Sequence, residues 1–313
     1  AMGRGTTPAG GGLARWLCTQ RCVEVGTDVN EEQIIARARQ EVAARRMAEM
    51  DQQWGGRWRW LLPALVLAVL IAFIAIPAPL PRKLLLAMGG VCALRPGHSF
   101  LAGGVQLPLE SRMTGIYGGF MLTLLVLLAF RRLGTRRLGG KLVIGILVLC
   151  FTSMAFDGIN STLAELGLSH LYTPTNLLRL LTGLLSGIAI APFLVWLLDI
   201  VAAPQTDAPP RAVVRSFWEL AAPLALNAGF AALVVDGRAA FYYLIALISV
   251  LGVVGVLAIV ALLVILAIGG LAGRVTHLRQ VVAPGALALL IAFAVLGATA
   301  AARWILMPTV LNL

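Results

Sequence analysis

Two polar segments break the apolar run of this 313-residue chain with side chains that a simple connection would not need. The first passes through Cys92, Arg95, Pro96, His98, Ser99 and Phe100, then resumes with Pro108, Glu110, Ser111, Arg112 and Tyr117. The second holds Asp157, Gly158 and Asn160, followed by Thr173, Asn176, Arg179 and Gly183. Ionisable groups at a membrane boundary are costly unless paired, so Asp157 is expected against Arg112 or Arg179. Cys18 and Cys22 stand four apart, but a structural zinc site needs a second ligand pair, and residues 1–56 contain no other cysteine and no histidine. A zinc site there would have to be completed by another chain. Cys150 lies within an apolar block and reads as a small packing residue.

The histidines exclude one class of chemistry. His98, His170 and His277 all fall between apolar blocks, and haem or chlorophyll held in a bilayer usually takes an axial imidazole from a helix. No histidine-ligated haem or chlorophyll is therefore expected within the membrane. Phosphate-binding loops, dinucleotide fingerprints and nucleophile elbows are also missing from the sequence.

These residues need helices to position them. Hydrophobic residues make up 59% of the chain and charged residues 12%, about half the usual charged share, so the chain could not cover a soluble surface. Seven apolar blocks read as membrane spans: 60–77, 115–130, 142–156, 177–200, 213–235, 240–268 and 286–304. The fold class is all-α, a polytopic helical membrane protein with a helical N-terminal segment. Three regions follow: 1–56, a soluble segment; 57–200, a four-span core; and 201–313, a further three spans.

Residues 1–56 balance seven basic against seven acidic side chains, and the whole excess of +11 lies beyond them. That excess sits in short connections, where it orients spans rather than binding nucleic acid. Arg131, Arg132, Arg136, Arg137 and Lys141 face no acid within their own loop, which assigns it to the cytoplasm. Counting outward puts the N-terminus in the cytoplasm and the C-terminus outside an inner (cytoplasmic) membrane. Arg82, Lys83, Arg95 and Arg112 count against that orientation. Asn30 is a helix N-cap candidate with Glu31 and Glu32 in the first turn. A helix from there to about Gln53 would align Ile35, Ala38, Val42 and Met50, which reads first as a solvated juxtamembrane helix and second as a docking helix for a partner.

The two polar segments resemble a bacterial and archaeal family of predicted membrane proteins, domain-of-unknown-function family 2085. Cys92, Pro96, Ser99, Phe100, Pro108, Arg112, Gly115, Tyr117, Asp157, Gly158, Asn176, Arg179 and Gly183 carry the resemblance over about residues 85–195. The chain departs from the family's pattern at Ala93, His98, Glu110 and Met113, which replace a histidine, an arginine and two cysteines. A lone Cys92 cannot run a dithiol cycle. Cys92, His98, Glu110 and His170 are competent donors for a replacement metal site. Gly115, Gly119, Gly183 and Gly187 have the small-xxx-small spacing of closely packed membrane helices. Close packing there would gather Arg112, Tyr117, Asp157, Asn176 and Arg179 into one cluster, either a lock on the bundle or a ligand site. Three functions stay open: a non-catalytic accessory subunit working with lipid and other membrane subunits, a transporter or channel, and a metal- or thiol-dependent enzyme.

Overall fold

A computed structural model describes residues 56–203, 211–275 and 278–306, with residues 33–35, 37, 38, 41, 42, 44, 45, 48 and 54. The chain divides into two compact units, Ala1–Gln53 and Trp54–Leu313. In the first unit every described residue is helical, and Ile35, Ala38 and Val42 of the expected stripe are exposed. Cys18, Cys22, Asn30, Met50 and His277 lie outside the described residues.

The second unit is built of helices. Its elements are α1 (Trp58–Ala75), α2 (Leu80–Met88), α3 (Ser111–Ala129), α4 (Lys141–Glu165), α5 (Asn176–Ala202), α6 (Ala221–Asp236), α7 (Tyr242–Ile268) and α8 (Val282–Leu306). Seven helical stretches are long and apolar enough to cross a membrane, at 58–75, 111–129, 141–165, 176–202, 217–236, 239–268 and 279–306. Each matches one expected span. The third runs to Glu165 rather than Phe156, because Asp157, Asn160 and Ser161 are buried inside the bundle and do not end the helix. The fifth starts later than Val213, since the Val213 and Val214 amides donate to the Arg137 and Leu138 carbonyls.

Helix α3 is the hub. Gly115 and Gly119 meet α5 at Gly183 and Gly187 so closely that a β-carbon on Gly183 would lie 2.5 Å from the Arg112 carbonyl oxygen. On another face, a β-carbon on Gly118 would press into the Phe230 ring of α6 at 2.6 Å. Gly252 of α7 abuts the Tyr117 backbone just as tightly. Small residues are what let membrane helices come this near, since lipid supplies no hydrophobic drive between them. Phe120, Leu180, Leu184 and Ile188 fill the interior between these contacts. Cys150 packs, half-buried, beside Leu147 and Val143, as a small apolar residue. Helix α1 buries no residue and packs chiefly on α8.

Hydrogen bonds show which connections share an end of the bundle. At one end, the 89–110 connection meets α8, the α4–α5 connection and the turn at Gly237. There Gly103 and Gly104, both at positive φ, close a two-residue turn between Leu101–Ala102 and Val105–Gln106, as a twisted hairpin requires. Arg303 donates to the carbonyls of Gly89 (3.0 Å), Cys92 (2.5 Å) and Ala93 (2.5 Å), while Trp304 Nε1 donates to Leu86 (3.1 Å). At the other end, the basic 131–141 loop is held by Asp199, which accepts from the Gly134 and Thr135 amides at 2.8 and 2.7 Å and from the Thr135 hydroxyl at 2.8 Å. Arg132 pairs with Glu219. The loop that has no acid of its own borrows two from distant helices.

Arg303 makes a specific expectation about Cys92. Removing it as Arg303→Ala leaves three carbonyls without a charged donor, each such bond contributing about 1.5–3 kcal/mol. Cys92 alkylation by a maleimide, followed by peptide mass spectrometry, should accelerate at least about tenfold in the variant.

Candidate functional site

The first polar segment folds back on the start of α3. Glu110, extended ahead of the helix, accepts the Arg95 amide at 2.8 Å, and Ser111 Oγ donates to the His98 carbonyl at 2.6 Å. Gln106 Nε2 donates to Leu94 O and Ser99 Oγ, both at 3.1 Å. This sets Arg112 on the first turn of α3, facing α4.

Two carboxylates of α4 organise the polar cluster. Asp157, 1% exposed, takes Arg112 Nη2 at 2.7 Å and the Tyr172 hydroxyl at 2.9 Å, with Thr182 Oγ1 at 3.4 Å. Arg112 Nη2 also donates to Ser161 Oγ at 3.0 Å. Asn160 holds the stretch of chain that brings Tyr172 in, accepting from the Leu171 amide and donating to the Tyr172 carbonyl, both at 2.8 Å. Burial, and then the bond to Asp157, push the Tyr172 phenol up to about 12, so it stays a protonated donor.

Glu165, at the end of α4, is the second hub. It meets Arg95 Nη1 at 2.9 Å, Arg179 Nη2 at 3.4 Å and His98 Nε2 at 3.8 Å. The bond to Glu165 raises Arg95 above its ordinary value. A crevice of about 400 Å³ opens over this hub, lined by Gly97, His98, Ala164, Glu165, Pro174, Asn176 and Arg179. Asn176, the first residue of α5, donates to the Gly97 carbonyl at 3.0 Å, while Thr175 caps the helix by accepting the Leu178 amide at 3.2 Å. Across both hubs, Arg95, Arg112 and Arg179 balance Glu110, Asp157 and Glu165.

The expected site residues thus divide. Arg112 and Asp157 form a direct ion pair, whereas Asn176 and Arg179 belong to the crevice around Glu165. Tyr117 lies elsewhere, packed with Met88, Leu109, Met113 and Cys92. The four metal-donor candidates are dispersed: His98 faces Glu165, Glu110 binds Arg95, and Cys92 sits in that apolar cluster. His170 is exposed, its Nδ1 3.1 Å from the Leu168 carbonyl. Among the described residues no three His, Cys, Asp or Glu side chains gather as a metal site would need. Burial raises the Cys92 thiol, opposite to the activation a nucleophile needs. Sequence reasoning missed Glu165 and Tyr172, and with them Arg95 as a partner. The signal was scarcity. Only seven acids follow residue 56, and all six described ones accept hydrogen bonds or ion pairs.

Burial, then the Arg179 and Arg95 charges, lower His98 below its usual 6.5, against weaker opposite pulls from Glu165 and Glu110. The folded chain therefore binds fewer protons here than the unfolded chain. The stabilisation this represents is complete above the unfolded value and is lost as pH falls through the folded one. Thermal unfolding in detergent should fall off below about pH 6.5, and His98→Gln should flatten that part of the profile.

Helices of this length and apolarity, connected through two polar ends, define a multi-pass helical membrane protein. Residues 92–193 match the model of a family described as predicted membrane protein, domain of unknown function 2085, in agreement with the resemblance seen in the motifs. The matched stretch, about a third of the chain, contains both carboxylate hubs and every residue that binds them. No curated protein and no solved structure matches the chain.

Proposed function

We propose that this protein is a non-catalytic structural or accessory subunit of a larger membrane complex. The observation that carries the reading is the charge balance of the polar end: three arginines against three carboxylates, with both Asp157 oxygens engaged. A balanced network of this kind locks helices together and leaves no activated group for chemistry. Helix α1, with no buried residue, keeps its outer faces for lipid or a neighbouring subunit. In this reading residues 57–200 form the core and 201–313 an added three-span region that widens the contact surface. The N-terminus is cytoplasmic and the C-terminus outside, in the inner membrane. Arg95 and Arg112, which count against that orientation in a bare charge tally, are neutralised by Glu165 and Asp157. The test is purification of the tagged full chain in mild detergent. A stoichiometric second membrane polypeptide is the expected result, and recovery as a lone monomer overturns it.

One observation favours transport instead. Asn227, 2% exposed in the middle of α6, leaves Oδ1 without a partner while Nδ2 donates to the Pro223 carbonyl at 2.8 Å. Intramembrane polar groups commonly mark solute paths. Ion or solute flux in liposomes that disappears with Asn227→Leu would establish that reading.

A further inference from the structure

We infer that the crevice between α1, α7 and α8 is a binding site for an anionic glycerophospholipid. Its walls are wholly apolar: Pro63 and Val66 of α1, Ala258, Ile259 and Leu262 of α7, and residues of α8 from Val282 to Leu289. Its volume is about 440 Å³. The α8 wall extends over about 12 Å of helix rise. An acyl chain, thin and extended, suits it.

The mouth selects the headgroup. Arg59 lies one turn before Pro63, and Arg279 two residues before the lining residue Val281. Arg57 precedes α1, and Arg274 lies in the α7–α8 connection. A β-carbon on Gly269, at the end of α7, would lie 3.8 Å from Trp54 Cζ2, which brings the start of α1 against that connection. No Asp or Glu occurs anywhere in residues 52–109 or 237–313. Arg57, Arg274 and Arg279 have no ion-pair partner among the described residues, and the Arg59 guanidinium lies 5.8 Å over the Trp60 ring. Trp58 and Trp60, 52% and 74% exposed, set this level at the membrane interface, where a phosphate sits. Charge above and an apolar crevice below match one two-part ligand.

The test uses the full chain in mild detergent, loaded with phosphatidylglycerol or phosphatidylcholine and read by native mass spectrometry. One phosphatidylglycerol should be retained in clear preference to phosphatidylcholine. Arg59→Gln with Arg279→Gln should weaken that retention by roughly thirtyfold, two arginines each contributing about a kcal/mol near an anionic headgroup. Gly285→Leu, whose β-carbon would meet only Val281 Cγ1 at 4.0 Å, should block the slot and release lipid of either kind. Equal retention of both lipids by the parent chain overturns the proposal, as does a double-arginine variant that holds phosphatidylglycerol unchanged. So does a Gly285→Leu protein that keeps its lipid, or a second polypeptide found in place of lipid. All variants are compared as monodisperse material, so loss of fold is separated from loss of binding.

Discussion

Asp157→Ala is expected to cost the fold about 3 kcal/mol, because it removes the buried carboxylate that holds the partly buried Arg112. Arg112 Nε is already buried without a partner, and the variant would also take away the carboxylate acceptor of its Nη2 and of the Tyr172 hydroxyl, leaving Nη2 its bond to Ser161. The penalty comes from the orphaned charge more than from the lost attraction, and that distinction is measurable. Arg112→Met combined with Asp157→Leu removes both charges and should recover most of the stability. Heating in detergent, followed by size-exclusion of the surviving protein, reads each variant. A midpoint roughly 10 °C lower is expected for Asp157→Ala. If Asp157→Ala matched the parent, the pair would not be a lock at all.

Gly187→Val is expected to open the α3–α5 interface, with a loss of about 3 kcal/mol or more. A β-carbon there would stand 2.5 Å from the Phe120 amide nitrogen and 2.8 Å from the Gly119 carbonyl carbon. Those are backbone atoms of a packed helix, which cannot rotate aside as a side chain would. The two helices must separate, and every contact along their length loosens with them. Gly145→Ala is the control, since its β-carbon would meet nothing within 4 Å and should leave the midpoint nearly unchanged. The same heating assay separates the two. Gly187→Ala should fall between them, since one methyl needs less room than an isopropyl group.

Much of the fold was legible in the sequence because membrane solvation imposes long apolar runs. All seven spans were visible, as was the small-residue spacing of the glycines in α3 and α5, and Arg112 was one of the two partners the sequence offered Asp157. The failures share a physical cause. Hydropathy treats a polar residue as a boundary and so stops the third span just before Asp157, whereas the helix carries Asp157, Asn160 and Ser161 inward to partners from other elements. Val213 and Val214 look like the start of a span but pair with the basic loop. Helix α2, with Arg82 and Lys83 in nine residues, is too short and too charged for a span pattern to reveal. Glu165 resembled an ordinary helix end, because its neighbours Arg95, His98 and Arg179 are distant in sequence or on the next helix. Tyr117 was grouped with Arg112 by proximity in sequence, yet five residues along a helix turn a side chain toward another face.

The clasp that Arg303 and Trp304 place on residues 86–93 has a consequence for synthesis. Its two halves are separated by more than 200 residues, so the carbonyls of Gly89, Cys92 and Ala93 emerge early and wait for α8 to be inserted. A chain that stops short of α8 would present those open groups to whatever surveys nascent membrane proteins. Insertion of α8 is thus recorded in the fold by a bond that no shorter chain can make.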